Sequence, residues 1–173
     1  MKISYIPRQI EKKIEKYLFQ GKVILIFGAR QTGKTTLVKK ILTHQAEFTS
    51  VYLNCEEEDI KQQLQEATTS SQLKELVGEA ELIVFDEAQK VADIGEKIKL
   101  LHDTFPSLQI IATGSSSFEL GQKAVEPLTG RNLKFWLHPL SLAELKNIYS
   151  EREIKRRLES FLIFGLYPEV VKN

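Results

Sequence analysis

The sequence predicts an α/β protein: three layers, with a five-stranded parallel sheet between helices and a short helical tail at the end. Three observations carry this. Short apolar runs alternate with longer stretches of helical periodicity, the rhythm of repeated strand–helix–strand units. Some of the runs are apolar without a break, as strands buried on both faces are. A glycine-bearing loop joins the first run to the helix that follows it, the arrangement that lets backbone amides close on a ligand at the carboxyl end of a strand.

The elements follow in order. Ile10, Ile14, Tyr17 and Leu18 recur at helical spacing among charges, with Pro7 ahead of them and Gly21 behind, so a first amphipathic helix is expected. Residues 23–27 form an unbroken apolar run and predict the first strand. After the loop, 35–42 reads as a helix with Leu37, Val38, Ile41 and Leu42 on one face. Val51, Tyr52 and Leu53 predict the second strand, and the polar stretch 56–77 carries helical signals at Ile60, Leu64, Leu73 and Leu76. The third strand is expected at 82–85, ending in Asp86. Ile94, Ile98, Leu101 and Phe105 mark the next helix, and the fourth strand is expected at 109–112. A helix is expected at the start of 116–129, a fifth strand at 133–137, and helices at 141–149 and 151–164. Residues 1–150 read as one core and 151–173 as a helical appendage, because helix formers replace strand formers near 150.

Bulk composition narrows the class. A chain of 173 residues can bury one sizeable core but is short for two full domains. With 42% hydrophobic and 27% charged residues, the composition sits inside the range of globular proteins and argues against wholesale disorder. Basic and acidic side chains number 24 and 23. That balance gives no reason to expect a general nucleic-acid binder, whose mark is a basic excess. Cys55 is the single cysteine, so an internal disulfide or cysteine-based zinc site is excluded and a reducing compartment, the cytoplasm, is expected. No stretch approaches the length needed to span a bilayer.

The strongest motif is residues 28–35, G-A-R-Q-T-G-K-T. It satisfies the P-loop pattern through Gly28, Gly33, Lys34 and Thr35, with the required strand before and helix after. Its glycines let the amides of Gly28, Ala29, Arg30, Gln31, Thr32 and Gly33 curl around phosphate oxygens, and the helix N-terminus at Lys34, Thr35 and Thr36 adds unpaired N–H groups and a favourable dipole. Lys34 brings a mobile cation to the β- and γ-phosphates. The Thr35 hydroxyl is a hard oxygen ligand for Mg2+.

A second motif completes the first. Residues 82–87 read L-I-V-F-D-E, a strand delivering two carboxylates to its carboxyl end. Asp86 is expected to hold the metal, directly or through water. Glu87 is expected to accept a proton from the attacking water or to orient it. An acid-decorated helix start is the plainer reading of the pair, and the P-loop upstream argues against it. Strand four ends T-G-S-S; Thr113, Ser115 or Ser116 is placed to touch the γ-phosphate or the water, or one of the serines caps the next helix. Arg131, just before strand five, is suited to stabilising a transferring phosphoryl group, or is a surface arginine. Arg8 and Arg30 have either a nucleotide or a surface role. Glu56, Glu57, Glu58 and Asp59 read as acids at a helix start, Lys155, Arg156 and Arg157 as a solvated face. His44, His102 and His138 show no ligand spacing.

These residues, in this order, resemble the AAA+ ATPases. The resemblance implies a sheet order of 5-1-4-3-2, ATP as the nucleotide, Glu87 as the Walker B glutamate, Ser115 or a neighbour as sensor 1, and Arg131 as an arginine finger acting in a neighbouring subunit. The sequence is more closely similar to prokaryotic ATP-binding proteins with an N-terminal AAA domain and a C-terminal domain of unknown function. The matching strings include Y-I-P-R at 5–8, G-A-R-Q-T-G-K-T-T-L at 28–37, F-D-E-A-Q at 85–89, L-T-G-R at 128–131 and G-L-Y-P-E-V-V at 165–171. Ala29 stands where a proline is common in that group. The group's C-terminal domain has no counterpart in this sequence, so 151–173 is expected to begin a helical lid or a linker toward it. The expected function is Mg2+-dependent ATP hydrolysis that drives a conformational change in an unknown protein client or in a homo-oligomer. Beside it stand a small-molecule kinase, which would usually need a lid with catalytic arginines and no Walker B glutamate, and two further alternatives. One is a nucleotide-gated binding module with little turnover. The other is a helicase-like ATPase, suggested by D-E-A-Q, for whose second RecA-like domain the chain has no room.

Overall fold

The computed structural model describes residues 5–115 and 126–172. Five strands form one parallel sheet: β1 (Val23–Phe27), β2 (Ser50–Asn54), β3 (Leu82–Asp86), β4 (Gln109–Gly114) and β5 (Asn132–Trp136), in the order β2-β3-β4-β1-β5. This is the order the resemblance implied. Hydrophobicity sets it. Every position of β1, β3 and β4 is buried, whereas β2 has one buried position and β5 none, so the fully buried strands take the centre and the half-exposed ones the edges.

Helices cover both faces: α1 (Gln9–Lys16), α2 (Lys34–His44), α3 (Glu58–Glu66), α4 (Ser70–Val77) and α5 (Ile94–Thr104). Alternation along β1 shows the two sides. Val23, Leu25 and Phe27 join Leu64, Leu73, Ile98 and Leu101 in one core. Ile24 and Ile26 join Ile14, Leu37, Val38 and Ile41 in the other. A third cluster brings Ile6 from the first segment against Leu140, Leu145, Phe161 and Val171. Leu145, Phe161 and Val171 come from the final helices, α6 (Leu142–Leu145), α7 (Glu151–Phe164) and α8 (Pro168–Lys172), and Leu140 from the segment just before them. None of the described helices is long and apolar enough to cross a membrane.

Two helical stretches differ from expectation, both through capping. The stretch 56–77 divides into α3 and α4, because Thr69 and Gln72 form a reciprocal capping box that starts a new helix. The helix expected at 141–149 is only α6. Ser141 with Glu144, and Ser150 with Glu153, each form such a box, and α6 already ends at Leu145, short of the second start. The helix expected at the start of 116–129 lies largely outside the described residues, which resume at a 3-10 turn, Glu126–Leu128.

Candidate functional site

Register aligns the carboxyl ends of the strands. Phe27 faces Gly114 on one side and Trp136 on the other, Phe85 faces Ala112, and Asn54 faces Asp86. The loop after β1 therefore emerges beside the ends of β4 and β3. Gly28 leaves β1 so close to the neighbouring backbone that an added Cβ would lie 2.3 Å from the Leu137 carbonyl oxygen. Only glycine passes there. Gln31 and Gly33 take left-handed φ values of 65° and 95°, and the buried Thr32 hydroxyl donates to the Ala29 carbonyl at 2.9 Å. Ala29, Arg30, Gln31 and Thr36 are exposed. The loop ends at α2, whose first turn carries neither a side-chain cap nor an acidic residue. Its N–H groups face outward with nothing on their own helix to claim them, which suits an anion.

Lys34 is buried, and its ammonium donates to the carbonyls of Gly28 and Ala29, each at 3.2 Å. Glu87 Oε1 lies 3.6 Å from the same nitrogen. The cation is thus folded back onto its own loop, where a phosphate would draw it outward.

Asp86 ends β3 at 2% exposure. Three hydroxyls surround it. Thr113 donates to Oδ1 at 2.5 Å, while Thr35 and Tyr52 donate to Oδ2 at 2.6 and 2.5 Å. Burial, then the bond to the Asp86 carboxylate, push the Tyr52 phenol well above its ordinary value, so it remains a donor. Thr35 Oγ1 and Asp86 Oδ2 are adjacent hard oxygens at the mouth of the loop, a donor pair that fits Mg2+. Thr113 also accepts the Glu87 amide at 3.0 Å, so one hydroxyl ties the two acids together. Glu87 itself has a left-handed φ of 52°, a strained position for a side chain of its kind and of the sort that gathers at functional sites. Its Oε2 accepts from Gln89 Nε2 at 2.5 Å.

The structure thus gathers Gly28–Thr36, Asp86, Glu87 and Thr113. Ser115 stands one residue past β4, partly buried, and Ser116 lies outside the described residues. Arg131 is not brought to this cluster within one chain. Its carbonyl accepts the Val23 amide at 2.9 Å, at the amino end of β1. Five residues at about 3.3 Å each separate it from the loop, roughly 17 Å of strand. Its guanidinium donates to Asp103 Oδ1 at 2.7 Å. That bond, and then His102, hold the Asp103 carboxyl below its ordinary range, while the Arg131 value is raised.

Arg8 departs from both roles expected of it, because it is buried under the loop. It donates to Glu144 at 3.1 Å, to the Thr32 carbonyl at 2.8 Å and to the His138 carbonyl at 2.5 Å. Burial pushes the Glu144 carboxyl upward, but the amides of Ser141 and Gln9 and the Arg8 guanidinium together outweigh it and hold the group below its ordinary range. Arg30, by contrast, is exposed on the loop. A small cleft beside the start of α2 is lined by Tyr5, Arg8, Gly33, Thr36, Leu140 and Pro168, among others. His44 sits elsewhere, against Glu15 at 2.7 Å and Glu11 at 3.4 Å.

Tyr52, Gln89 and the depth of Arg8 are the features that reading the sequence missed. Tyr52 becomes a partner of Asp86 only through the adjacency of β2 and β3, which no local pattern shows. Gln89 had a signal, its place two residues after Glu87 in D-E-A-Q.

Comparison with known proteins agrees with this geometry. A family model described as an AAA domain matches residues 20–146, more than half of the chain. An uncharacterised protein of the archaeon Methanocaldococcus jannaschii is 29% identical over 182 residues, covering 98% of this chain and 41% of that protein. An uncharacterised protein of Mycobacterium tuberculosis is 29% identical over 126 residues, covering 72% and 26%. The chain thus spans well under half the length of these relatives. Among solved structures, a Walker-type ATPase of Pyrococcus abyssi superposes with a TM-score of 0.67 at 20% identity, over 96% of this chain and 66% of that one. AMPPCP-bound DnaA from Aquifex aeolicus superposes with a TM-score of 0.60 at 14% identity, over 95% and 57%. Family model, sheet order and loop geometry agree: the chain belongs to the AAA domain family and has the P-loop ATPase fold.

Proposed function

We propose that this chain binds ATP with Mg2+ and hydrolyses it. The carrying observation is the interlock of Thr35, Asp86, Thr113 and Glu87 beside an uncapped helix start that also holds a buried lysine. The amides of Gly28–Thr36 hold the β- and γ-phosphates. Lys34 exchanges the carbonyls of Gly28 and Ala29 for phosphate oxygens. Thr35 and Asp86 would hold the magnesium ion, which would supply positive charge against the phosphates. When Lys34 moves, Glu87 loses its ion-pair partner and its carboxylate is released to orient the attacking water and take its proton. ATP is favoured over GTP by the family and by the lack of an N-K-x-D string in the sequence.

Arg131 is proposed to act on the site of a neighbouring copy, since within its own chain it stands at the far end of the sheet. Residues 1–150 are the ATPase core and 151–173 serve as lid or linker, a role supported by Pro168, whose ring approaches a Cβ built on Gly33 to 3.7 Å. Hydrolysis moves this core against a further domain or a protein client. Ser115 is kept as a contact to the phosphate, with Thr113 as the residue that aligns the acids. The lone thiol of Cys55 suits a reducing cytoplasm; burial, then Asp86 and Glu87, push it up to about 12, and it stays inert.

The test is Mg2+-dependent ATP hydrolysis measured as specific activity against protein concentration. Activity rising with concentration supports Arg131 in trans, and a flat response rejects it. Glu87→Gln should keep nucleotide affinity and lose turnover by about 10²–10⁴-fold. A variant that turns over normally would reject the hydrolytic assignment.

A further inference from the structure

We propose that Gln89 is the positioning residue that aims Glu87, an inference that rests on the hydrolytic reading above. Glu87 is held at three points. Its backbone amide is fixed by Thr113. Its carboxylate meets Lys34 through Oε1 at 3.6 Å and Gln89 through Oε2 at 2.5 Å. The first of these carboxylate contacts is temporary, because Lys34 is the cation that a bound triphosphate recruits. Once it leaves, Gln89 is the remaining described partner of the carboxylate, and phosphate does not compete for it.

The origin of the Gln89 side chain is also rigid. It lies in the 3-10 turn Ala88–Lys90. The Lys90 amide donates to the Glu87 carbonyl at 3.0 Å and the Val91 amide to the Ala88 carbonyl at 3.1 Å. Ala88 and Val91, on either side, are buried in the larger core. An amide on so fixed a base directs the group it holds.

The other end of the same amide argues that this bond is the purpose of the residue. Gln89 Oε1 is buried and meets no donor among the described residues. Leaving a buried acceptor unsatisfied is destabilising. A side chain kept only to fill space would avoid this as methionine or leucine. The N–H toward Glu87 is the one feature of glutamine that this pocket uses.

The bond leaves Oε1 of Glu87 to face the reacting water. In the step, the water oxygen forms its bond to the γ-phosphorus, its proton passes to Glu87 Oε1, and the bond from phosphorus to the bridging oxygen breaks as ADP leaves. Gln89 gains and loses nothing and acts by direction alone.

The experiment compares the full chain with Gln89→Met, Glu87→Gln and the double variant. It measures kcat and KM for Mg2+-ATP, and the Kd of a fluorescent ATP analogue. Gln89→Met should lower kcat by about 10- to 100-fold, as misaiming a reacting group does, with KM and Kd within about twofold of the parent. On a Glu87→Gln background it should cost nothing further. Gln89→Glu keeps the shape and removes the donor, so it should repeat the kcat loss and covers the case in which methionine disturbs the turn. Unchanged kcat in both variants overturns the proposal, as does an equal loss on the Glu87→Gln background, which would mean that Gln89 does not act through Glu87. If Glu87→Gln alone leaves turnover intact, the hydrolytic reading fails and this inference falls with it.

Discussion

At the carboxyl ends of the strands, Asp86 is 2% exposed and takes hydroxyls from Thr35, Tyr52 and Thr113. At the amino ends of the same sheet, the side chains of Arg131 and Asp103 are 39% and 40% exposed, and beyond each other the pair touches only His102 among the described polar side chains. Burying a carboxylate is expensive unless every lone pair finds a donor, so the first end is a rigid, over-determined array. A surface ion pair in water contributes little and is easily exchanged. One end of the sheet is therefore built to be kept, and the other carries a cation that a second molecule can take at small cost. The difference is what the proposed roles require: a fixed array for the nucleotide, and an arginine loosely held for use on a neighbouring copy.

Substitutions test that separation, and the largest effect belongs at the buried end. Lys34→Ala should reduce turnover by about 10³-fold or more, since it removes a charge aimed at the transferring group. Phosphate release and nucleotide affinity measured together would check it. Retained affinity and rate would mean that the loop does not use its lysine, and the contrast would collapse. Arg8→Met should destabilise the fold by about 3–5 kcal/mol, because it leaves Glu144 buried without its partner; urea denaturation would read it. The same pair predicts a pH effect. The Glu144 value is lowered by folding, so its contribution is complete above the ordinary glutamate value of 4.5 and fades as pH falls through the lowered one. Glu144→Gln should flatten that acid limb.

Thr113→Val sharpens the comparison. It strips Asp86 Oδ1 and the Glu87 amide of one shared partner, a loss of about 1–3 kcal/mol by the usual penalty for unsatisfied buried groups, visible as a lower melting temperature. Arg131→Ala should have the smallest effect of all on the isolated chain. Melting temperature and nucleotide affinity should not change, while any rise of specific activity with concentration should vanish. A drop in melting temperature would show that Arg131 belongs to the fold.

The sequence made the buried end legible because its chemistry is local. A loop of fixed spacing, a strand ending in two acids and uninterrupted apolar runs are each patterns that span only a few residues. The strand order came from the resemblance, and the apolar grading of the strands agrees with it. Contacts made across the sheet were not legible. Tyr52 meets Asp86 from a neighbouring strand, and Arg8 meets Glu144 across 136 positions of chain, where no periodicity operates. The shortened α6 was legible in principle: Ser141 with Glu144 and Ser150 with Glu153 are two helix starts nine residues apart.

The Arg8 fork has a mechanical meaning. A guanidinium is flat and its donors diverge at fixed angles. Here they are pinned to Thr32 in the phosphate loop, to His138 and to Glu144. The loop cannot lift by much more than about 1 Å without breaking a hydrogen bond or pulling the other two attachment points with it. It behaves as a short rocker arm, with the phosphate loop on one side of the pivot and the segment 138–144 on the other.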